Sequence, residues 1–360
     1  MQVSRHRSAL SPKLRPLVRL KPALYPLRPN VSFVLQYFRQ PDAIQPILSY
    51  FHSCTRGMRG VSNASSPLWG ITSEFVVNVD SGDDAAAWAA AAAALGDGFV
   101  TLVVSPNVHE IRGYNRAAAV ARGDTLVLLQ DDDTPTGSCD WLANVTRLLR
   151  ERPLVGAIGL KKACITMHGA DSCHWASVER AVKHYDPELD GMRYQYVAVA
   201  DFAPLVVRAT AYSDVGGCDE GAALPGESGI LLDYELSLRL WAAGWHVTQL
   251  QVPSLKGGSN LKGGTSHGIS FALRRKNQGL NSIPWSTRFQ EKELFEIQLE
   301  VRRKNAALVV MEQYREKVDK LYSDAEAGAV SALSQREKVV ARLAAFAAAR
   351  DDPGVLPTTL

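Results

Sequence analysis

The segment Leu128–Pro135 reads LLQDDDTP: three consecutive aspartates, Asp131, Asp132 and Asp133, stand directly behind an apolar run. Adjacent carboxylates repel, and one of them is driven toward protonation unless a cation joins them. An all-oxygen set of this kind suits a hard divalent ion, Mg2+ or Mn2+, of the sort usually shared with substrate phosphates. The plainer alternative is a solvated acidic turn, with Asp132 or Asp133 near the start of the next helix. Two other places bear on the choice. Asp80 ends another apolar run, in a turn where Ser81 and Gly82 allow close backbone approach to a ligand. Far along the chain, Asp233 and Glu235 open a helical segment. Glu235 stands four residues before Arg239 and can pair with it on one helix face, which gives Glu235 a structural load. Asp233 has no such local partner and is freer to act on a substrate. A metal–diphosphate site with a separate carboxylate base is what displacement of a nucleotide leaving group by a hydroxyl requires.

These acids need elements to hold them. VSFVLQYF from Val31, EFVVNVD, FVTLVVS and TLVLLQ read as short, nearly continuous apolar strands. Between them, RQPDAIQPILSYF reads as a turn and a helix, Ala85–Leu95 as a helix, and GYNRAAAVARGD as another. Strands alternating with helices in this way predict a parallel sheet covered on both faces. In such sheets polar ligands bind at the carboxyl ends of the strands, where both Asp80 and the triple aspartate fall. A helix over Trp141–Arg150 and a strand VGAIGL follow, then a loop-rich stretch from Lys161 to Arg193. YQYVAVADFAPLVVR carries Asp201 at the edge of the sheet, where a donor or acceptor contact and a structural hydrogen bond are both open to it. LDYELSLRLWAAGW is a helix ending at Gly244, HVTQLQV a last strand, and KGGSNLKGGTSHG a mobile glycine-rich loop containing His267. From Ser286 to about Ala349 the pattern is helical, with Leu294, Ile297, Val301 and Leu308 on one face, expected to pack on the domain or on a partner.

The composition, 46% hydrophobic and 21% charged with a net charge of +3, is that of an ordinary globular protein. It gives no reason to expect a nucleic-acid partner. No apolar run is long enough for a membrane-spanning helix, which leaves peripheral membrane association open. The first 30 residues hold seven Arg or Lys, five Pro and no acid, and read as a flexible arm or a targeting segment. Asn30, Asn63 and Asn144 lie in N-x-S/T triplets, so cytoplasmic and Golgi-associated locations both stay open. The five cysteines form no CxxC pair, and read as mostly reduced and structural. Cys164, His168, Cys173 and His174 fit no standard zinc spacing.

Taken in order, the motifs resemble a family 2 glycosyltransferase of the GT-A fold over about Val31 to Asn277. VSFVLQYFRQPDAI resembles the family's first strand and helix, and VVNVDSGDD its VVDDGS turn, which puts Asp80 at the base-contacting aspartate. GYNRAAAVARGDTLVLLQDDDTP is similar to the block ending in L-D-x-D, so Asp131 and Asp133 take the DxD positions. VGGCDEG resembles GGFDE, with Cys218 where phenylalanine is usual. GILLDYELSLRLWAAGW resembles the acceptor-side segment ED-x-D-L-x-x-R…GY, which gives Asp233 the place of the general base. Two departures stand out: Leu232 replaces the acid before that base, and no histidine lies near Leu255, so His267 is the substitute metal ligand.

The resemblance implies a mixed, mainly parallel α/β sheet flanked by helices over residues 31–280, with a helical extension over 281–360. It implies inverting, metal-dependent transfer of a sugar from a nucleotide-diphosphate donor to a glycan, lipid or protein hydroxyl. Mn2+ or Mg2+ would be held by Asp131, Asp133 and His267, Asp233 would be the base, and Asp80, Asp131, Asp132, Asp201 and Glu235 would contact the donor or acceptor. Arg112, Lys256, Lys262 and Arg274 are the available cations for the diphosphate. A nucleotidyltransferase is disfavoured because QYFRQPDA after the first strand has no glycine. A dinucleotide-dependent oxidoreductase is disfavoured because G-x-G-x-x-G is absent. The remaining alternative is an inactive transferase-like module kept for binding or assembly.

Overall fold

A computed structural model of the chain describes residues 29–60, 71–96, 98–105, 108–131, 134–160, 162–167, 173–177, 192–202, 204–222, 232–250, 256–258 and 291–308. The first strands are the apolar runs of the sequence. β1 (Val31–Tyr37) and β2 (Ser73–Val79) are buried at every position, as strands covered on both faces must be. β3 (Val100–Val104) and β4 (Thr125–Gln130) complete a parallel group in the order β3-β2-β1-β4. The covering helices are α1 (Pro41–Gly60), α2 (Ala85–Leu95) and α3 (His109–Val120). The alanine-rich α2 is anchored by Trp88, which is fully buried, and ends at Gly96 in the left-handed conformation. Gly113 lets α3 lie directly on the sheet, because a Cβ there would sit 1.7 Å from Gln36 Oε1.

Beyond β4 the sheet changes direction. β6 (Val155–Gly159) follows α4 (Trp141–Glu151), and β11 (Leu205–Arg208) inserts antiparallel between β4 and β6. β12 (His246–Leu250) runs parallel to β6, and β9 (Tyr194–Tyr196) closes the sheet antiparallel to β12. The eight strands stand in the order β3-β2-β1-β4-β11-β6-β12-β9, the mixed, mainly parallel α/β sheet expected. Two further helices complete this half, α5 (Ala209–Asp214) and α6 (Leu232–Ala242).

The stretch expected to be loop-rich contains a hairpin, β7 (Lys162–Met167) with β8 (Cys173–Ser177), extended by β10 (Val199–Ala200) into a three-stranded sheet. Its strands, KACITM and CHWAS, are short and mix polar with apolar residues without regular alternation, so periodicity alone does not separate them from loop. The glycine-rich segment expected to be mobile begins with β13 (Lys256–Gly258), which pairs with β5 (Thr134–Thr136) just after the acid cluster. The basic arm before residue 29 and most of the glycine-rich loop lie outside the described residues.

Of the five cysteines, read as mostly reduced, two are paired. Cys54 of α1 and Cys139 ahead of α4 form a disulfide, with their Cα atoms 5.4 Å apart. The sequence could not show this pairing, because five cysteines allow many connectivities. Cys218 is free and buried, and its thiol is pushed to about 12 by burial, which leaves it unreactive. No helix among the described residues is long and apolar enough to cross a membrane.

The edge strand β9 is capped by α7 (Glu291–Leu308). Asn305 accepts from the Tyr196 N–H at 2.7 Å and donates to the Tyr196 carbonyl at 2.9 Å, so its amide imitates a ninth strand. Lys304 lies over the Tyr196 ring and pairs with Glu300 at 3.1 Å. Asn305→Ala leaves both backbone groups unpaired and is expected to cost about 1–3 kcal/mol. Urea unfolding measures it, and an unchanged midpoint would show that the cap contributes nothing.

Candidate active site

The carboxyl edge of the sheet gathers acids from four places. Asp80 is the first residue beyond β2 and Asp131 the first beyond β4, on either side of β1. Asp80 is almost wholly buried, at 2% exposure. Its Oδ1 accepts the N–H of Val108 at 2.5 Å and its Oδ2 the N–H of His109 at 2.7 Å. Behind it runs a polar chain from Ser105 through Asn78 to Gln36, whose amide reaches Asp80 at 3.4 Å. Burial raises the Asp80 pKa, against the pull of those two N–H groups and of the nearby His109 and Arg116. Asp80 therefore fixes the loop that opens α3.

Both loops beside Asp80 carry a non-glycine residue at positive φ. His109 has φ 63° and is held by its bond to Asp80; Arg39 has φ 52° and donates its N–H to Ser81 Oγ at 3.2 Å. Strain of this kind costs on the order of 1 kcal/mol or more per residue and persists where surrounding structure enforces it. Asp131 enforces the same loop from the other side, accepting the Phe38 N–H on Oδ2 at 2.7 Å. Asp132 and Asp133, the rest of the triplet, lie outside the described residues, as does His267.

Asp201 reaches this edge through topology. β11 runs antiparallel to β4 with Leu205 opposite Leu128, so the residues preceding β11 lie past the carboxyl end of β4. Phe202 packs on Tyr114 with ring centroids 5.1 Å apart, and the Tyr114 hydroxyl donates to the Leu129 carbonyl at 2.8 Å. Asp233, in the first turn of α6, is half-buried. Burial first, and then the charges of Asp201 and Glu110, push its pKa up to about 8; its own and the Tyr234 N–H pull the other way. Glu110, at the start of α3, is an acid of this site that sequence reading missed. A single glutamate in a helical first turn carries no distinguishing signal.

Glu235 faces elsewhere. It is 2% exposed, and both of its oxygens accept from the Arg239 guanidinium one turn along α6. Arg239 also donates to the carbonyls of Val215 and Gly217, locking the start of α6 to the turn ahead of it. Asn115 holds the same turn through Cys218 N–H and C=O, each at 2.8 Å, and through Glu220 at 3.1 Å. Gly217 has φ 73°, and a Cβ there would meet Asn115 Oδ1 at 2.5 Å, so only glycine fits. Arg112, one of the cations considered for a diphosphate, donates to the Glu220 carbonyl at 2.8 Å. Asn115, Glu235, Arg239 and Arg112 thus brace the platform on which Asp233 stands.

The arrangement places acids of two kinds at one edge. Asp80 holds the loop after β3 and Asp131 the loop after β1, while the charges of Asp201 and Glu110 bear on Asp233 in the first turn of α6. Among the described residues, no group of three or more His, Cys, Asp or Glu is placed to hold a metal ion by itself. A hard cation completed by substrate phosphate oxygens needs only one or two protein carboxylates, and the Asp131 segment has the donor chemistry for that.

No family model and no curated protein matches the chain. Its structure is similar to that of mannosyltransferase PcManGT from Pyrobaculum calidifontis in complex with GDP-Man and Mn2+, at 15% identity and a TM-score of 0.49, over 94% of this chain and 85% of that one. It is similar to GalNAc-T7 with UDP, GalNAc and Mn2+ at 13% identity and a TM-score of 0.43, over 65% of this chain and 44% of that one. It is also similar to residues 1–349 of S. aureus TarS, at 12% identity and a TM-score of 0.42, over 87% and 91%.

Proposed function

We propose that this chain is an inverting glycosyltransferase, moving a sugar from a nucleotide-diphosphate donor to an acceptor hydroxyl. The observation that carries the reading is that Asp80 and Asp131 end neighbouring strands at the carboxyl edge of one sheet, with the charge of Asp201 from the same edge bearing on Asp233, the order in which the family 2 motifs place Asp80, Asp131 and Asp233. Asp80 holds the β3–α3 loop beside the nucleotide, and Asp131 the β1–α1 loop. Asp233 takes the acceptor's proton as the acceptor oxygen bonds to the anomeric carbon. The bond from that carbon to the diphosphate oxygen breaks with its electron pair on the nucleotide diphosphate. A base whose pKa lies near 8 suits proton abstraction from a hydroxyl better than an ordinary carboxylate, because catalytic bases work best near the operating pH. Asp131 and Asp133, with His267 as a further ligand, would hold Mn2+ or Mg2+, which would supply charge neutralisation for the departing diphosphate. Asp132 is left to orient ribose or bound water.

The test is release of nucleotide diphosphate from UDP-, GDP- and dTDP-sugars, with Mn2+, with Mg2+ and with EDTA. Metal-dependent release with one donor supports the reading. No turnover and no metal-dependent nucleotide binding with any donor leaves the inactive binding module in its place. Asp133→Ala is the sharper variant, since Asp131 also holds the Phe38 loop and its loss mixes structural with binding effects. Mn2+-dependent binding of the nucleotide diphosphate, measured by calorimetry, is expected to weaken about tenfold or more in Asp133→Ala, and metal-free binding to stay unchanged. Equal Mn2+ dependence in the variant and the wild type would remove Asp133 from the metal site.

A further inference from the structure

Asp201 stands beside Asp233 by construction. β10 docks on α6 through a bond from the Ala200 N–H to Ser237 Oγ, 3.2 Å long, and Ser237 lies one helical turn after Asp233 on the same face. The next residue after Ala200 is Asp201. Its Oδ1 is fixed by the Phe202 N–H at 2.8 Å, and Phe202 is packed in turn against Tyr114 of α3. Asp201 is thus placed through its two neighbours, Ala200 bonded to α6 and Phe202 packed on α3. We propose that Asp201 is a positioning residue that acts through Asp233, keeping it a stronger base than an isolated carboxylate.

The proposal rests on the reading of Asp233 as the base and adds the group that tunes it. A like charge held a short distance away makes the ionised form of Asp233 less favourable, so Asp233 binds the acceptor's proton more firmly during transfer and releases it to solvent before the next turnover. Glu110 acts in the same sense from α3, and burial contributes more than either. On the helix itself, Arg239 and Glu235 pair with each other and face the Val215–Gly217 turn, and His246 lies against Trp241 at the far end. Asp201 is therefore the facing group with the largest effect of charge on Asp233. It does not touch the reacting atoms.

The experiment is a carboxyl-carbon NMR titration of the full chain labelled at aspartate, with the Asp233 resonance assigned by its absence in Asp233→Asn. In Asp201→Asn the Asp233 midpoint is expected to fall by about one pH unit, and the acid limb of kcat/KM to move with it. A midpoint within about 0.3 unit of the wild type overturns the proposal. Asp201→Asn keeps the oxygen that accepts from Phe202; should it not fold, the wild-type titration decides alone. Coupled carboxylates titrate in two shared steps, and two independent single-step curves would also overturn the proposal. The titration needs no turnover, so a chain without transferase activity sinks the functional reading while still testing the coupling.

Discussion

Asp233→Asn is expected to lower kcat/KM for transfer by about a thousandfold, within the range that positioned general bases contribute, while nucleotide binding stays intact. The same substitution should make the protein more stable than the wild type at alkaline pH. The sign follows from where the proton is bound. Burial, Asp201 and Glu110 raise the Asp233 pKa to about 8 in the fold, whereas an unfolded aspartate titrates near its ordinary value of about 3.9. Below both values the group is neutral in either state and contributes nothing. Between them the unfolded chain has released a proton that the folded chain retains, so stability falls steadily as pH rises through this window. Above about 8 the loss is complete, because the folded protein then holds an ionised carboxylate in a poorly solvated place facing other acids. Asparagine has no such charge, and its stability should lack this slope. Urea unfolding at pH 5 and pH 9 measures the difference: the gap between variant and wild type should widen toward pH 9. Full transfer activity in Asp233→Asn would remove the base assignment, and a variant less stable than the wild type at pH 9 would remove the electrostatic account.

The parts of this molecule that could be read from its residues are those fixed by local pattern. VSFVLQY and TLVLLQ announce covered strands because no polar residue interrupts the apolar run enough to break it. Ala85–Leu95 announces a helix with the bounds observed. The Glu235–Arg239 pair followed from a spacing of four, and the structure adds only that the pair also clamps the preceding turn. What escaped depends on contacts distant in sequence. Asp201 meets Asp233 because β11 reverses direction beside β4, and an aspartate before an apolar run does not reveal which strand that run will join. Asp80 read as a ligand contact at a strand end, and its bonds to the N–H groups of Val108 and His109 could not be read, because only the folded chain defines the path of that loop. The β7–β8 hairpin and the short β5–β13 pair escaped for the same reason, since each is made by pairing rather than by propensity.

The Cys54–Cys139 disulfide carries the largest stability effect expected here. It closes a separation of 85 residues that includes β2, β3, β4 and the acidic segment. On the chain-entropy account, cross-linking a loop of that size stabilises the fold by about 4–5 kcal/mol, a figure that depends on the model of the unfolded state. Cys54 is buried on α1, and the same contact is reinforced by Tyr50, whose hydroxyl accepts from Trp141 Nε1 at 3.0 Å and donates to the Ser138 carbonyl at 3.4 Å. Reduction should therefore leave α1 docked but lower its resistance to unfolding. The double variant Cys54→Ala with Cys139→Ala is expected to melt on the order of 10 °C below the oxidised wild type. Dithiothreitol should shift the wild type to about the same place and leave the double variant unmoved. Alkylation before reduction supplies the check on the bond itself, since five reactive thiols in the unfolded, unreduced chain would show that no disulfide is present. Because Cys139 closely follows Asp131–Asp133, the bond also restrains the segment on which metal-dependent binding is proposed to depend. Loss of the disulfide should weaken Mn2+-dependent nucleotide binding even at temperatures where the reduced protein is folded, because part of the binding energy must then order a segment that the bond had already held in place.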